Sequence, residues 1–198
     1  ATGCDAFVQA IEPYVSVDHN PITDSQCKEA IQLIQEALPE AVANGQNVEA
    51  RTKMVEAEML AGMAFNNANL GYVHAMAHQL GGQYDAPHGV CCALLLTTVE
   101  EYNLIACPDR FAELARIMGY DTTGLTTMQA AEKSIDGMRE MCKAVGIPSS
   151  IKAIGAKPED FSLMAENALK DGNAFSNPRK GTKQDIIDLY QKAYDGIY

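Results

Sequence analysis

Apolar residues recur every three to four positions along nearly the whole chain, the spacing that places them on one face of an α-helix. Residues 20–38 show this clearly, with Ala30, Ile31, Ile34 and Leu38 on one face behind an Asn-Pro start. No segment alternates apolar and polar residues with the period of two typical of strands. The spacing predicts helices over residues 4–16, 20–38, 47–69, 70–80, 87–102, 108–118, 125–145, 158–170 and 183–196.

Proline and glycine indicate where these helices should end. Pro13 is expected to kink or end the first helix, because it lacks an amide hydrogen. Gly45 fits a stop after the second, and the Gly81-Gly82 pair is expected to end the fourth. A fifth helix then restarts at Pro87, a favoured first-turn residue. The prediction is one all-α domain of about eight helices over residues 1–198.

Composition narrows the class of protein. Hydrophobic residues make up 47% of the chain, enough for a substantial core. The net charge of −11 argues against nucleic acid or an anionic membrane as a partner, because both require a basic surface. No apolar run was expected to span a membrane, and no signal-peptide pattern is found, so a cytoplasmic location is expected. The six cysteines form no CxxC pair, which favours reduced, mostly buried thiols.

Three of the four histidines fall within residues 74–88. His74 and His78 are four apart and share a helix face, so they could bind one metal ion or simply hydrogen-bond to carbonyls. Ala75 stands where a zinc peptidase would need glutamate, so that chemistry is not supported. His88, in the first turn of the next helix beside Gly89, could fold back toward His74.

A metal held by two imidazoles commonly adds a carboxylate. Asp5 is a candidate within an apolar run, although the sequence alone favours a role as helix N-cap. Asp85 is the rival carboxylate, in a Gly/Pro-rich loop where solvation is expected. Neither a GxGxxG fingerprint nor a P-loop is present, so nucleotide binding cannot rest on those loops.

Several motifs in order resemble one family. Residues 71–90, around His-Ala-Met-Ala-His and Pro-His-Gly, resemble the signature of the iron-containing (group III) alcohol dehydrogenases. Residues 1–12 resemble their other metal-binding helix, and residues 20–24, 61–66 and 177–179 also match. The resemblance implies the C-terminal helical domain of a dehydroquinate-synthase-like fold. It also implies that the N-terminal α/β domain, which holds most of the NAD(P) site, is absent from this fragment or truncated product.

The resemblance implies a metal held by Asp5, Gln9, His74 and His88. Gln9 stands where the family has histidine, and its neutral amide oxygen is a weak ligand for Fe²⁺ or Zn²⁺. Fe²⁺ is the ion expected from the family. The three remaining ligands resemble those of related zinc glycerol dehydrogenases, so Gln9 makes Zn²⁺ or an empty site the alternatives.

The resemblance assigns other roles near the substrate. It implies that His78 is the catalytic residue, moving a proton or orienting substrate, and that Phe65 lines the substrate pocket, although Phe65 could equally be core. Two departures from the family stand out. Thr97-Thr98 replaces the usual Pro-His, and Cys92 replaces the usual Asn.

The function implied is metal-dependent, NAD(P)-linked oxidation of a small primary alcohol to an aldehyde, reversibly. This chain would be the metal-binding half, inactive alone, within a full-length protein expected to be a homo-oligomer. The alternative is a non-catalytic or degenerate helical domain with a weakened or empty metal site, which Gln9 and the missing cofactor domain favour.

Overall fold

The computed structural model describes residues 1–196, and within them the fold is entirely helical, with no strand. Four short 3₁₀ turns join the α-helices, at Leu104–Ala106, Ile151–Ile154, Pro158–Asp160 and Gly172–Ser176. The all-α prediction is confirmed. The nine α-helices of the described residues are α1 (Thr2–Val15), α2 (Pro21–Ala43), α3 (Val48–Ala68), α4 (Tyr72–Tyr84), α5 (His88–Asn103), α6 (Pro108–Ile117), α7 (Thr127–Ala144), α8 (Phe161–Ala168) and α9 (Lys183–Asp195).

Helix α1 runs through the middle of the molecule. Phe7, Val8, Ile11 and Tyr14 are fully buried, because α2, α3 and α5 pack around them. Two hairpins flank this centre, one formed by α2 with α3 and the other by α6 with α7. Residues carried on α1 therefore lie in the core, packed against α2, α3 and α5.

Helix α5 is the second core element. The segment His88–Ala106 is long and apolar enough, at a mean hydropathy of 1.3, to cross a membrane by length and composition alone. From the sequence, no apolar run of this length was expected. Because 72% of the segment is buried inside the protein, it fits a core helix, which is apolar on every side.

The helix ends differ in part from those expected. The first helix continues through Pro13 to Val15, so Pro13 does not end it. The second helix extends past residue 38 to Ala43, and Gly45 directly follows its C-cap, Asn44, as expected of a stop, although it adopts no left-handed conformation. The expected end of the fourth helix at Gly81-Gly82 was wrong: α4 continues to Tyr84, and its C-cap, Asp85, takes the left-handed conformation (φ 51°) that Asp tolerates better than most residues.

Candidate metal centre

One face of α1 carries three polar side chains. Asp5, Gln9 and Glu12 lie at positions i, i+4 and i+7, so they point the same way along the helix. Ala1 is the N-cap of α1, and the Asp5 amide already donates to the Ala1 carbonyl. The alternative role of Asp5 as an N-cap is therefore wrong, and its carboxylate is free for other contacts.

The start of α4 is held by side chains from distant parts of the chain. Its N-cap, Gly71, has no side chain to satisfy the first amides. Instead the Tyr72 amide donates to Asn177 Oδ1 (3.0 Å) and the Val73 amide donates to Glu12 Oε1 (2.7 Å). A Cβ at position 71 would lie 2.8 Å from that Glu12 oxygen and 2.9 Å from that Asn177 oxygen, so only glycine permits both contacts.

This capping places His74 against α1. The imidazole is 2% exposed, and its Nδ1 forms a hydrogen bond with Glu12 Oε2. Nε2 faces the opposite way, 3.5 Å from Asp5 Oδ1. When Nδ1–H donates to Glu12, the lone pair of Nε2 points toward Asp5. A carboxylate that holds one ring nitrogen of a histidine commonly directs the other nitrogen at a metal ion in this way.

His88 reaches the same point from α5. It is the first residue of that helix, and its Nε2 also lies 3.5 Å from Asp5 Oδ1. The two helices approach so closely that a Cβ on Gly89 would lie 2.5 Å from the Ala1 carbonyl oxygen and 3.3 Å from Asp5 Cβ. Gly89 therefore permits the contact between His88 and Asp5, as the sequence suggested.

The resulting cluster has the composition of a metal site. Donor atoms of Asp5, His74, His88 and Cys92 lie within 4.8 Å of one another. Asp5 Oδ1 and His74 Nε2 are buried and have no hydrogen-bond partner within the chain. A buried polar atom without a partner is costly, and a divalent cation would satisfy both atoms at once. The residues present thus fit the ion that the sequence implied.

The charges in the cluster shift the pKa values of its members. Burial opposes ionisation of Asp5, but contact with His74 and the positive charges of His88 and His74 outweigh it and lower the pKa of Asp5. Burial also opposes protonation of His74, yet the charge of Glu12 and contact with Asp5 raise the pKa of His74 well above its ordinary value. Burial, with repulsion from the other two histidines, lowers the pKa of His88. A metal ion would therefore have to displace a proton from His74.

His78 lies beside this cluster rather than within it. Its side chain is 41% exposed, and its Nδ1 lies 2.8 Å from Asp171 Oδ2. Its ring stacks on that of His88, with centroids 5.5 Å apart. With Nδ1–H donating to Asp171, Nε2 is left free to accept a proton on the open side.

Other predicted residues are less closely tied to the cluster. Gln9 lies on the correct face of α1, and its Oε1 is buried without a partner, but its role stays a prediction. Phe65 is half-buried on α3 and, among the described residues, lies outside the hydrophobic core and the apolar side chains packed against it. Its place in a substrate pocket stays a prediction. Asp85 is exposed and not part of the cluster.

Sequence reasoning assigned no role to three residues that touch the predicted histidines: Glu12, Cys92 and Asp171. Two of them carried a usable signal. Glu12 follows Asp5 by seven residues, and Cys92 follows His88 by four, so each shares a helix face with a predicted ligand. Asp171 had no such signal, because it lies 93 residues from His78.

Comparison with known proteins identifies one family. The family model described as "Fe-containing alcohol dehydrogenase family, C-terminal" matches residues 1–194. The 1,3-propanediol dehydrogenase of Klebsiella pneumoniae is 56% identical over 98% of this chain and 50% of its own length. The NAD-dependent methanol dehydrogenase of Bacillus methanolicus is 45% identical over 98% of this chain and 51% of its own length.

A solved structure supports the same relationship. The alcohol dehydrogenase from Oenococcus oeni superimposes with a TM-score of 0.96 at 79% identity, covering 98% of this chain and 51% of that chain. This chain thus spans about half the length of the curated relatives it matches.

Proposed function

The chain belongs to the iron-containing alcohol dehydrogenase family, and we propose that it is the metal-binding half of an NAD(P)-linked enzyme that interconverts small primary alcohols and aldehydes. The observation that carries this proposal is the convergence of Asp5, His74 and His88 around two buried atoms without partners. The relatives named for 1,3-propanediol and methanol support a small alcohol as substrate.

The residues of this chain would hold the ion and manage a proton. Asp5, His74 and His88 would be its ligands, with Gln9 on the same face of α1. When bound, a divalent ion supplies Lewis-acid activation of an alcohol hydroxyl or an aldehyde carbonyl. Glu12 keeps the His74 imidazole oriented and holds the start of α4 in place.

His78 would handle the proton. Its half-exposed ring lies next to His88, and Asp171 orients it. NAD(P) would supply the hydride acceptor and would be bound by the N-terminal α/β half that the family resemblance implies. The corresponding prediction is that these 198 residues alone do not turn over alcohol.

The same proposal includes a cellular location and a set of partners. Cysteines that are all free support a reducing, cytoplasmic location, and the net charge of −11 supports the absence of nucleic-acid and membrane partners. Homo-oligomerisation of the full-length protein stays a prediction.

The decisive experiment combines metal analysis with an activity assay. The chain is purified without chelators, tested for bound and added Fe²⁺ and Zn²⁺, and assayed with NAD⁺ and 1,3-propanediol. The assay is repeated after fusion to the nucleotide-binding half of a relative. We expect one divalent ion per chain, activity only in the fusion, and a loss of roughly 100-fold or more in kcat for His78→Ala.

Two results would contradict the proposal. Failure to bind either ion would remove the metal centre and favour the degenerate helical domain, for which Gln9 is the main indication. Turnover by the unfused chain would show that the nucleotide site does not depend on a second half.

A further inference from the structure

Cys92 is the fourth potential ligand at the candidate metal centre, beside Asp5, His74 and His88. Its Sγ lies 3.5 Å from His88 Nε2, and His88 Nε2 and His74 Nε2 each lie 3.5 Å from Asp5 Oδ1. Around a tetrahedral zinc ion, ligand atoms of these types are about 3.3–3.7 Å apart. These three separations are therefore close to those of a coordinated site, and all the donor atoms lie within 4.8 Å of one another.

The thiol is placed by the same helix as His88. The two residues are four apart on α5, so their side chains lie on one face, and that face is directed at α1 and α4. Cys92 is fully buried, so its sulfur does not face solvent. Its neighbour Cys91 is equally buried, but its Sγ lies 3.9 Å from the Ala86 carbonyl and is not part of the cluster.

Two donors compete for the fourth position. Gln9 offers a neutral amide oxygen, which binds Fe²⁺ or Zn²⁺ weakly, whereas a cysteine thiolate is a strong ligand for zinc. We propose that Cys92 is a metal ligand, so that Asp5, His74, His88 and Cys92 form a zinc site in which sulfur replaces the missing imidazole. The inference rests on the proposed function and specifies the chemistry of its metal centre, where the substrate oxygen would enter as a fifth ligand.

Binding of the ion by Cys92 would release one proton. The S–H bond of Cys92 breaks, a sulfur–metal bond forms, and the proton leaves to solvent. No oxidant or reductant is needed. A thiolate ligand shifts selectivity toward zinc, so we expect this chain to retain Zn²⁺ in competition with Fe²⁺.

Cobalt substitution tests the ligand directly. The 198-residue chain is loaded with Co²⁺ and its near-ultraviolet absorption is recorded, because a thiolate ligand gives a sulfur-to-cobalt charge-transfer band that imidazole and carboxylate do not. We expect the band in the wild-type chain and in the matched control Cys91→Ser, and its loss in Cys92→Ser. Zinc affinity should fall roughly 100-fold or more in Cys92→Ser and stay unchanged in Cys91→Ser.

A second measurement needs no variant. X-ray absorption of the zinc-loaded wild-type chain should show one sulfur at about 2.3 Å together with nitrogen and oxygen ligands. In the Cys92→Ser background, Gln9→His should restore zinc affinity without restoring the cobalt band, because it returns an imidazole and not a thiolate.

The outcomes separate this inference from the proposed function. Stoichiometric Co²⁺ and Zn²⁺ binding without the band and without a sulfur shell overturns the role of Cys92 and leaves the metal centre standing. A band that persists in Cys92→Ser also overturns it. Absence of any metal binding overturns both proposals.

Discussion

Two polar clusters lie near the start of α4, whose first amides are capped by Asn177 and Glu12. The first, the asparagine cluster, consists of Asn103 and Asn177. Asn177 Oδ1 accepts from the Tyr72 amide (3.0 Å) and from Asn103 Nδ2 (3.1 Å), and its Nδ2 donates to Asn103 Oδ1 (2.7 Å) and to the Arg179 carbonyl (2.8 Å). Every hydrogen-bonding position of the Asn177 amide is thus filled from within the chain.

The second, the histidine cluster, consists of Asp5, His74, His88 and Cys92 and is built differently. Asp5 Oδ1 and His74 Nε2 are buried without partners, although each has a second polar group only 3.5 Å away. The asparagine cluster is satisfied from within the chain, whereas these two facing atoms belong to a group of metal-ligand donors, so a divalent cation would satisfy both. One cluster holds the fold together and the other is available for an ion.

Asp5→Asn should give the largest effect and separate the two clusters. Removing the carboxylate charge at nearly constant shape should weaken zinc binding by on the order of 1000-fold. The free energy of unfolding of the metal-free chain should change by about 1 kcal/mol or less. Isothermal titration with Zn²⁺ and urea unfolding with a chelator present measure the two quantities.

The exposed Asp18→Asn is the control for that experiment and should change neither quantity, because the Asp18 carboxylate accepts from the exposed Asn69 side chain, away from both clusters. Equal zinc affinity in Asp5→Asn and the wild-type chain would remove Asp5 from the metal centre.

Asn177→Ala should show the reverse behaviour. The substitution leaves the Tyr72 amide and Asn103 Oδ1 without their partner, so we expect a loss of roughly 3 kcal/mol in the free energy of unfolding. Zinc affinity should fall by less than about 10-fold, because Glu12 still holds the next amide of α4. Urea unfolding measures the loss, with Asn67→Ala as an exposed control. A large loss of zinc affinity without a loss of stability would reverse the assignment of the two clusters.

Glu100 adjoins the asparagine cluster and makes stability depend on pH. Its Oε2 accepts from Asn103 Nδ2, while its Oε1 is buried without a partner. Burial, reinforced by the negative charge of Glu12, raises the pKa of Glu100 to about 8. A carboxyl group whose folded pKa is raised supports folding fully at pH values below its ordinary pKa, and that support is lost as the pH rises through the folded value.

Glu100→Gln removes this ionisation. The variant should gain on the order of 2–3 kcal/mol in unfolding free energy relative to the wild-type chain between pH 5.5 and pH 8.5. Urea unfolding at the two pH values measures the gain. Glu101→Gln, whose side chain is 46% exposed, is the matched control and should show no such trend. A constant difference between Glu100→Gln and wild type at both pH values would contradict a raised pKa.

Glu12→Gln should give the smallest of these effects. The amide oxygen can still accept from the Val73 amide, so α4 should keep its start. The charge that orients His74 is lost. Zinc affinity should fall roughly 10- to 100-fold, the usual cost of removing a carboxylate that holds a metal-ligating histidine. Titration with Zn²⁺ measures the change against Glu36→Gln, an exposed control. Unchanged affinity would limit Glu12 to capping α4.

Much of the fold could be predicted from the chain because helical periodicity is local. The spacing of apolar residues placed every α-helix, and errors were confined to ends such as Gly81-Gly82, where neighbouring residues carry the helix onward to Tyr84. The approach of His88 to His74 and Asp5 was also anticipated, and the structure brings all three together. Their role as ligands stays a prediction that the metal titrations test.

What the sequence determined by itself was the set of helices, the histidine-rich segment and the family, since each is written in contiguous residues or in short motifs of constant spacing. Which polar atoms remain unpaired was decided only by the tertiary structure. Cys92 lies near Asp5 although 87 positions separate them in sequence, and Glu12 contacts His74 across 62 positions. Both contacts arise because α1, α4 and α5 come together in the folded chain. Pairing of a buried atom depends on everything that surrounds it in space, and no local pattern encodes those surroundings.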